Sequence, residues 1–448
     1  MYEPFSSSFV RSIDANRTLK DSITNAITHS RTRSRISVTE LVNPMQAMQR
    51  VLNPEIRPTL DRQQIMMAGT GFHEIFGRKV SSEEFLEQLL EYEGVVGKVD
   101  IFEDVPVEIK TTSSIPTDIY KGRTSYFEQL GMYCAMAGVA NGRLIVYQRQ
   151  SEHSNLDFKV FDVVFNNINK ILEQMIIRRD LFQNALDTKT AFGLPQCEWM
   201  HRGCDYSAVC SCKSAKPAES IVGRDEVEIS NNLEMEQELI TKISIEADVP
   251  SGFKLNDLVF PRKALMRLGD YAANERNDSP QKNMKDMERQ GFNYALYTAL
   301  HYGSAGKFKN IPVSINSLVD RVGMYDDVPT ILRTSSLATM VERDRLPWFY
   351  SYYFDRLAFE CALTNVRHGR LVLYYEKIPN DKFMVYDIYF HSRKAINDEI
   401  VRRIELLENE APVSELPACP TWMAQYCEFQ PNCECVEKPG VLDAWESI

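Results

Sequence analysis

The residues of this sequence whose types and spacing could do chemistry lie between Gly97 and Lys110: Asp100, Glu108 and Lys110. The runs Val95 to Phe102 and Val105 to Thr111 are rich in β-branched residues, and a Glu103-Asp104 turn followed by Pro106 lets the second run fold back antiparallel on the first. Glu108 and Lys110 then share one face of a strand, while Val107 and Ile109 point into the core. Asp100 enters from the neighbouring strand. Two carboxylates and an ammonium converging on one spot are costly unless a divalent cation joins them, and hard oxygen ligands suit Mg2+ or Mn2+.

The elements that position these groups belong to a chain of 448 residues, a length that suggests two or three domains, and its 44% hydrophobic content is enough for more than one core. Lys and Arg total 51 against 62 Asp and Glu, a net charge of -11, which excludes a protein that coats nucleic acid by bulk basicity. Any nucleic-acid contact needs a local basic groove. Arg31, Arg33, Arg35, Arg50, Arg57 and Arg62, with Lys121, Arg123 and Tyr126, are candidates to line one or are simply solvated. No apolar run approaches the roughly 18 residues of a membrane helix and no secretory signal opens the chain, so a cytoplasmic protein with no membrane partner is expected. Residues 1 to 35, rich in Ser, Thr and Arg, read as a flexible arm.

Eight of the ten cysteines fall into two clusters, Cys197, Cys204, Cys210, Cys212 and Cys419, Cys427, Cys433, Cys435, spaced Cys-x6-Cys-x5-Cys-x-Cys and Cys-x7-Cys-x5-Cys-x-Cys. Without an export signal, such clusters favour metal over disulfide. Two similar endings imply two copies of one module. Gly142-Arg143-Leu144 pairs with Gly369-Arg370-Leu371, Asp104-Val105-Pro106 with Asp327-Val328-Pro329, Cys134 with Cys361, Leu41-Val42-Asn43-Pro44 with Leu258-Val259-Phe260-Pro261, and Gly71-Phe72 with Gly291-Phe292, at offsets between 217 and 227. The chain therefore reads as a tandem duplication. Its divisions are an arm over 1–35, a first domain over 36–212, an acidic linker or peripheral segment over 213–250, a second domain over 251–436 and a tail over 437–448.

Within the first copy, the pattern predicts a helix from Val38 to Leu52, another around His73, and a third over Ser82 to Tyr92 opened by a Ser81/Glu84 capping box. After the hairpin come a helix from Ser125 to Val139, an Asn141-Gly142 turn, strands Arg143 to Arg149 and Asp157 to Phe165, and a helix from Asn166 to Leu186. This is an α/β domain, a small mixed sheet flanked by helices.

The order Gly69-Thr70-Gly71-Phe72-His73, Gly97-Lys98-Val99-Asp100, Glu108-Ile109-Lys110 and Gln129-Leu130-Gly131-Met132-Tyr133 resembles the RecB-like branch of the PD-(D/E)XK nucleases. With a cysteine cluster closing the domain, the resemblance extends to the iron-sulfur subgroup, which includes the CRISPR-adaptation exonucleases and the nuclease domains of AddB-type helicases. It covers roughly residues 36 to 212. It implies two tandem restriction-endonuclease-like domains and metal-dependent hydrolysis of DNA, with exonuclease action and a helicase or other recombination protein as partner. Carried over residue by residue, it implies that Asp100, Glu108, the Ile109 carbonyl and His73 hold Mg2+ or Mn2+. Lys110 would orient the attacking water, and Gln129 and Tyr133 would reach the strand or phosphate. A 4Fe-4S cluster in each cysteine set is implied, with zinc as the alternative that spacing leaves open. The sequence departs from the subgroup in having no cysteine before residue 134: Asn43-Pro44-Met45 stands where an N-terminal ligand is expected, and Cys212, or else Cys134, must supply the fourth.

In the second copy His73 becomes Asn293, Asp100 becomes Gly323, Glu108 becomes Ile331, Lys110 becomes Arg333, Gln129 becomes Arg356 and Tyr133 becomes Glu360. Such a copy is a pseudonuclease with a positive, metal-free pocket, suited to clamping substrate or binding a partner. The aromatic run Trp348 to Phe354 beside it could stack bases or pack in the core. The competing expectation is a non-catalytic nucleic-acid-binding or assembly subunit with two structural metal clusters.

Overall fold

The computed structural model describes residues 8–28, 35–149, 158–197, 204–214, 219–244, 252–269, 280–303, 308–335, 337–379, 381–419, 427, 429 and 432–435. Arg31, Arg33, Asp157 and the tail over 437–448 lie outside them. The protein is mixed α/β, with two mixed sheets in two compact units. An N-terminal unit comprises Thr28–Ile245 and Met284–Phe292, and a C-terminal unit comprises Met1–Ile27, Glu246–Asn283 and Asn293–Ile448.

The chain opens with β1 (Val10–Ala15) and α1 (Arg17–Thr28). The flexible arm expected over 1–35 is therefore partly structured. Strand β1 pairs antiparallel with a strand of the C-terminal unit, Ile13 opposite Ile388, and closes an edge that would otherwise expose unpaired backbone.

The N-terminal unit follows with β2 (Ile36–Ser37), α2 (Val38–Val42), α3 (Pro44–Leu52), α4 (Leu60–Val80), β3 (Leu86–Tyr92), β4 (Val95–Phe102), β5 (Pro106–Thr112), α5 (Ile119–Gly122), α6 (Thr124–Ala137), β6 (Asn141–Gln148), β7 (Phe158–Phe165), α7 (Ile168–Thr188), β8 (Val227–Asn231) and α8 (Leu233–Ser244). Its sheet runs β2-β4-β5-β6-β7-β8, with β3 added to β4. Pairing is parallel only at β2 with β4 and at β5 with β6, where Glu108 stands opposite Leu144 and Lys110 opposite Val146. One face buries Val95, Val99, Phe127, Leu130 and Met175 against the flanking helices; the other buries Phe72, Phe76, Ile109 and Phe158.

Four expectations are corrected here. The helix expected over Val38 to Leu52 is two helices, because the residue before a proline is disfavoured in the α region: Asn43 sits at φ -129, ψ 64 and Pro44 starts α3. The helix expected over Ser82 to Tyr92 is a single 3-10 turn at Glu83–Phe85 followed by β3. The Leu/Glu-rich composition favours helix, yet Glu93 and Gly94, both at positive φ, make a two-residue hairpin turn that lays β3 on β4 with Tyr92 opposite Val95. The expected linker over 213–250 instead supplies β8, which extends the sheet beyond β7, and α8, which buries Leu239 and Ile243. The expected Asn141-Gly142 turn lies inside β6, and the chain reverses at Gly138, the left-handed cap of α6. Glycine at 142 serves packing: a Cβ there would lie 2.7 Å from the Cys134 sulfur.

The C-terminal unit continues with α9 (Leu255–Val259), α10 (Pro261–Leu268), α11 (Pro280–Gly303), β9 (Phe308–Ile315), β10 (Leu318–Tyr325), β11 (Val328–Ser335), α12 (Leu346–Phe349), α13 (Ser351–Thr364), β12 (His368–Tyr375), β13 (Phe383–Phe390) and α14 (Arg393–Glu408). Residues Met284–Phe292 of α11 cluster with the N-terminal unit. The six-stranded sheet runs β1-β13-β12-β11-β10-β9, parallel only at β11 with β12. Among the described residues no helix is long and apolar enough to cross a membrane.

Candidate active site

Four elements of the N-terminal unit bring the sequence-selected residues together. Strand β5 is flanked on both sides by β4 and β6, so its alternating side chains are buried on both faces of the sheet; Glu108 is 3% exposed. Its neighbour β4 presents Asp100, α4 presents His73, and α6 presents Gln129 and Tyr133 one turn apart. Gly97 makes room for this arrangement, since a Cβ there would come within 2.7 Å of the Tyr133 ring.

Gln129 is the hub. Its amide oxygen accepts from Lys110 Nζ at 2.8 Å, and its amide nitrogen donates to Glu108 Oε1 at 2.8 Å and to Tyr133 Oη at 3.0 Å. Lys110 Nζ also donates to Glu108 Oε1 at 2.5 Å and lies 5.5 Å from the centre of the Tyr126 ring. Asp100 Oδ2 accepts from the Ile109 N–H at 2.7 Å, while Oδ1 lies 3.5 Å from His73 Nδ1. Glu108 Oε2 is buried with no hydrogen-bond partner among the described residues.

The electrostatics separate the two carboxylates. Burial raises the pKa of Asp100, but His73, Lys110 and the Ile109 amide outweigh it and hold the carboxyl below its ordinary range. At Glu108 burial dominates, Lys110 opposes it and Asp100 reinforces it, so the carboxyl is pushed up to about 7. Burial works against the Lys110 ammonium, yet Glu108 and Asp100 more than offset it and raise its pKa. Tyr133 is raised well above the usual phenol range by burial, with Glu108 adding to the effect. One ammonium thus serves two acidic groups, and an unpaired carboxylate oxygen remains in a buried place, the charge pattern that a cation relieves.

Both cysteine sets are reduced in the structure. In the first, the Cys197 N–H donates to Cys212 Sγ at 3.4 Å, and Cys210 is also in contact with Cys212. Burial pushes Cys197 up to about 12 and Cys210 to about 11. In the second, the Cys419 N–H donates to Cys435 Sγ at 3.4 Å, and hydrogen bonding with Cys419, together with burial, pushes Cys435 to about 11. Helix α3 reaches the first set through Gln46, whose Nε2 donates to Cys204 Sγ at 3.8 Å. In the second set Arg262 of α10 reaches the carbonyl oxygens of Cys433 at 3.3 Å and Glu434 at 3.1 Å. No sequence signal marked Gln46 or Arg262. The Cys134 thiol donates to the Asn141 carbonyl at 3.4 Å, and burial pushes it up to about 12. Among the described residues no group of three or more His, Cys, Asp or Glu side chains is gathered closely enough to hold a metal ion.

The basic residues considered for a groove are largely engaged. Arg35 pairs with Glu91 at 2.6 Å and Arg62 with Asp205 at 3.2 Å, Arg50 bonds Tyr206, and Arg123 bonds Thr112 Oγ1 at 2.9 Å. Of the aromatic run in the C-terminal unit, Tyr350 and Phe354 are core, whereas Trp348 is 58% exposed.

No family model matches this chain and no curated protein matches it. Among solved structures, one described as "Crystal structure of SSO0001" is similar over 44% of this chain and 96% of its own, at 16% identity and a TM-score of 0.31, a level of likeness that carries no argument about fold or activity.

Proposed function

We propose that this protein is a divalent-metal-dependent DNA nuclease acting from strand ends, with one active site in the N-terminal unit and a C-terminal unit that is a degenerate copy of the same PD-(D/E)XK module. The observation that carries the proposal is the meeting of Asp100, Glu108 and Lys110 in one buried electrostatic cluster, in which Lys110 takes Glu108 Oε1 and leaves Glu108 Oε2 without a hydrogen-bond partner among the described residues.

Asp100, Glu108 and the Ile109 carbonyl would offer Mg2+ or Mn2+ oxygen donors and His73 an imidazole nitrogen; these groups are not drawn around one point among the described residues, and the unpartnered Glu108 oxygen is what supports the ligand role. When bound, the ion supplies Lewis acidity at the scissile phosphate and lowers the pKa of a water. The protein's own groups do the positioning. Glu108 and Gln129 hold the Lys110 ammonium in place, so that its remaining N–H and its charge would serve to offset charge developing on the oxygens of a bound phosphate. His73 and the Ile109 N–H fix the rotamer of Asp100. Tyr133 accepts from the Gln129 amide, which sets the amide's orientation and thereby the orientation of Lys110.

The duplication is supported by structural details that recur in each unit. Strands β4 and β10 both span eight residues, and helices α6 and α13 both span fourteen. Arg178 of α7 donates to the Leu41 carbonyl and pairs with buried Glu128; Arg403 of α14 donates to the Leu258 carbonyl and lies 4.0 Å from buried Asp355. Arg143 pairs with Asp162 at 2.8 Å, and Arg370 with Asp387 at 2.7 Å. A Cβ on Gly369 would meet the Cys361 sulfur at 2.9 Å, as one on Gly142 would meet Cys134.

The four thiols of each set are proposed to hold a 4Fe-4S cluster, with zinc as the alternative. The raised pKa values of Cys197, Cys210 and Cys435 mean that a metal must displace protons to bind there, which it does at neutral pH when four thiolates share it. Cleavage of end-labelled single- and double-stranded DNA with Mn2+, for wild type and Glu108→Ala, tests the nuclease proposal. Equal rates for the two, or cleavage that ignores the metal, would overturn it.

A further inference from the structure

Gly323, Ile331, Arg333, Arg356 and Glu360, which stand in the C-terminal unit where the N-terminal unit has Asp100, Glu108, Lys110, Gln129 and Tyr133, line a cavity of about 640 Å3, which lies within the roughly 300–1,000 Å3 of small-molecule sites. Its charge is concentrated in Arg321, Arg333 and Arg356, opposed by the single carboxylate of Glu360. Lys309, at the rim, is already paired with Asp327 at 2.5 Å. Arg356 is held from two sides, its Nε on Glu360 Oε1 at 2.8 Å and its Nη1 on Asn256 Oδ1. Arg333 lies over the Tyr353 ring at 5.2 Å and spends one N–H on the Leu332 carbonyl at 2.8 Å. Among the described residues neither Arg321 nor Arg333 has a carboxylate within ion-pair distance, and Arg333 acts on Glu360 only at longer range. A cavity with this surplus of guanidinium groups asks for an anion, and planar N–H forks fit phosphate.

Two further features narrow the ligand. Glu360 is 3% exposed and lines the cavity, yet its Oε2 has no hydrogen-bond partner among the described residues. A buried acceptor left open is costly unless something donates to it, so a ligand offering an N–H or O–H is favoured. Tyr297 and Phe308 form an aromatic wall, their ring centres 4.7 Å apart, with the Tyr297 hydroxyl fixed by the Leu332 N–H at 3.3 Å. Inorganic phosphate uses only the arginines, and a sugar phosphate leaves the aromatic wall bare. A nucleoside phosphate uses all three: phosphate on the arginines, base against the rings, and a base N–H or sugar hydroxyl on Glu360.

We propose that the cavity of the C-terminal unit is a metal-independent binding site for a nucleoside monophosphate group, supplied either as a free nucleotide or as the phosphorylated terminal nucleotide of a DNA strand. The site stands on the cavity's own residues and holds whether or not the N-terminal site cuts.

The test is equilibrium binding to the full chain in EDTA, in a Glu108→Ala background, with dAMP, deoxyadenosine, ribose 5-phosphate, inorganic phosphate, and a short oligonucleotide with or without a 5′-phosphate as probes. Arg321→Gln removes an exposed cation and is expected to keep the wild-type melting temperature; Arg333→Gln also withdraws positive charge that acts on buried Glu360, so its melting temperature is measured beside it, and Arg321→Gln carries the test if it falls. Each is expected to weaken dAMP or phosphorylated-oligonucleotide binding at least tenfold, and deoxyadenosine is expected to bind at least tenfold more weakly than dAMP. Tight dAMP binding identifies a free nucleotide as a ligand; binding of the phosphorylated oligonucleotide alone identifies a strand end. Failure of every probe, equal binding by the folded arginine variants, or inorganic phosphate and ribose 5-phosphate binding as well as dAMP would overturn the proposal. Because the assay contains neither metal nor cleavage, its failure is separate from failure of the nuclease proposal.

Discussion

Replacing Gln129 with leucine removes the hub of the candidate site while nearly preserving its volume. Gln129 makes one hydrogen bond with each of the two charged groups, Lys110 and Glu108, each at 2.8 Å. Bonds to charged groups contribute roughly 1.5–3 kcal/mol each. Lys110 and Glu108 keep their direct 2.5 Å contact in the variant, so neither charge is left unpaired, and the loss is about one such bond in orienting the ammonium. That corresponds to a fall in the cleavage rate of about 10- to 150-fold. The assay is single-turnover cleavage of end-labelled DNA across a Mn2+ titration, with melting temperature as the control for folding. A positioning role lowers the rate at saturating Mn2+ and shifts the metal midpoint little, because Asp100 and Glu108 remain. A folded variant that cleaves within threefold of wild type, or one as inactive as Glu108→Ala, would refute the assignment of Gln129 as a positioning residue.

Gly97→Ala forces a Cβ to within 2.7 Å of the Tyr133 ring, so a loss of about 1–3 kcal/mol in stability and reduced cleavage are expected, read by thermal melting and the DNA assay. Arg178→Met strands the buried Glu128 carboxylate, whose stability cost is about 3–5 kcal/mol; the double variant with Glu128→Leu should recover much of it in chemical denaturation. Anaerobically purified protein should be brown, with broad absorbance near about 400 nm, and Cys212→Ser should reduce the iron content per chain. Colourless protein carrying stoichiometric zinc would replace iron-sulfur with zinc and leave the nuclease proposal intact.

The hairpin of β4 and β5 was legible because alternating β-branched residues and a tight turn leave little other choice, and β4 buries Val95 and Val99 in one core cluster as that alternation requires. Strand β3 was not legible from composition, since its leucines and glutamates prefer helix; only the Glu93-Gly94 turn, read for its positive φ, could have revealed it. Strands β1 and β8 are set by long-range pairing with β13 and β7, which no local pattern encodes. Gly142 has a glycine's identity for the sake of the Cys134 sulfur rather than for a turn, and the repeat of Gly369 over Cys361 shows how two residues distant in sequence carry one packing constraint. The members of the candidate site could be named from order and residue type. Their wiring, with Gln129 between Lys110 and Glu108 and the second Glu108 oxygen open, depends on how α6 lies over β5 and is visible only in three dimensions.

Cleavage of end-labelled DNA by purified protein, with Mn2+ or with EDTA, for wild type and Glu108→Ala, tests the central claim most directly. Removing Glu108 takes away the buried carboxylate that both Lys110 and Gln129 hold, so cleavage by wild type should require the metal and should fall by at least about a thousandfold in the variant. Wild-type protein that binds DNA but does not cut it with Mn2+, or a folded Glu108→Ala chain that cuts as fast as wild type, would contradict it.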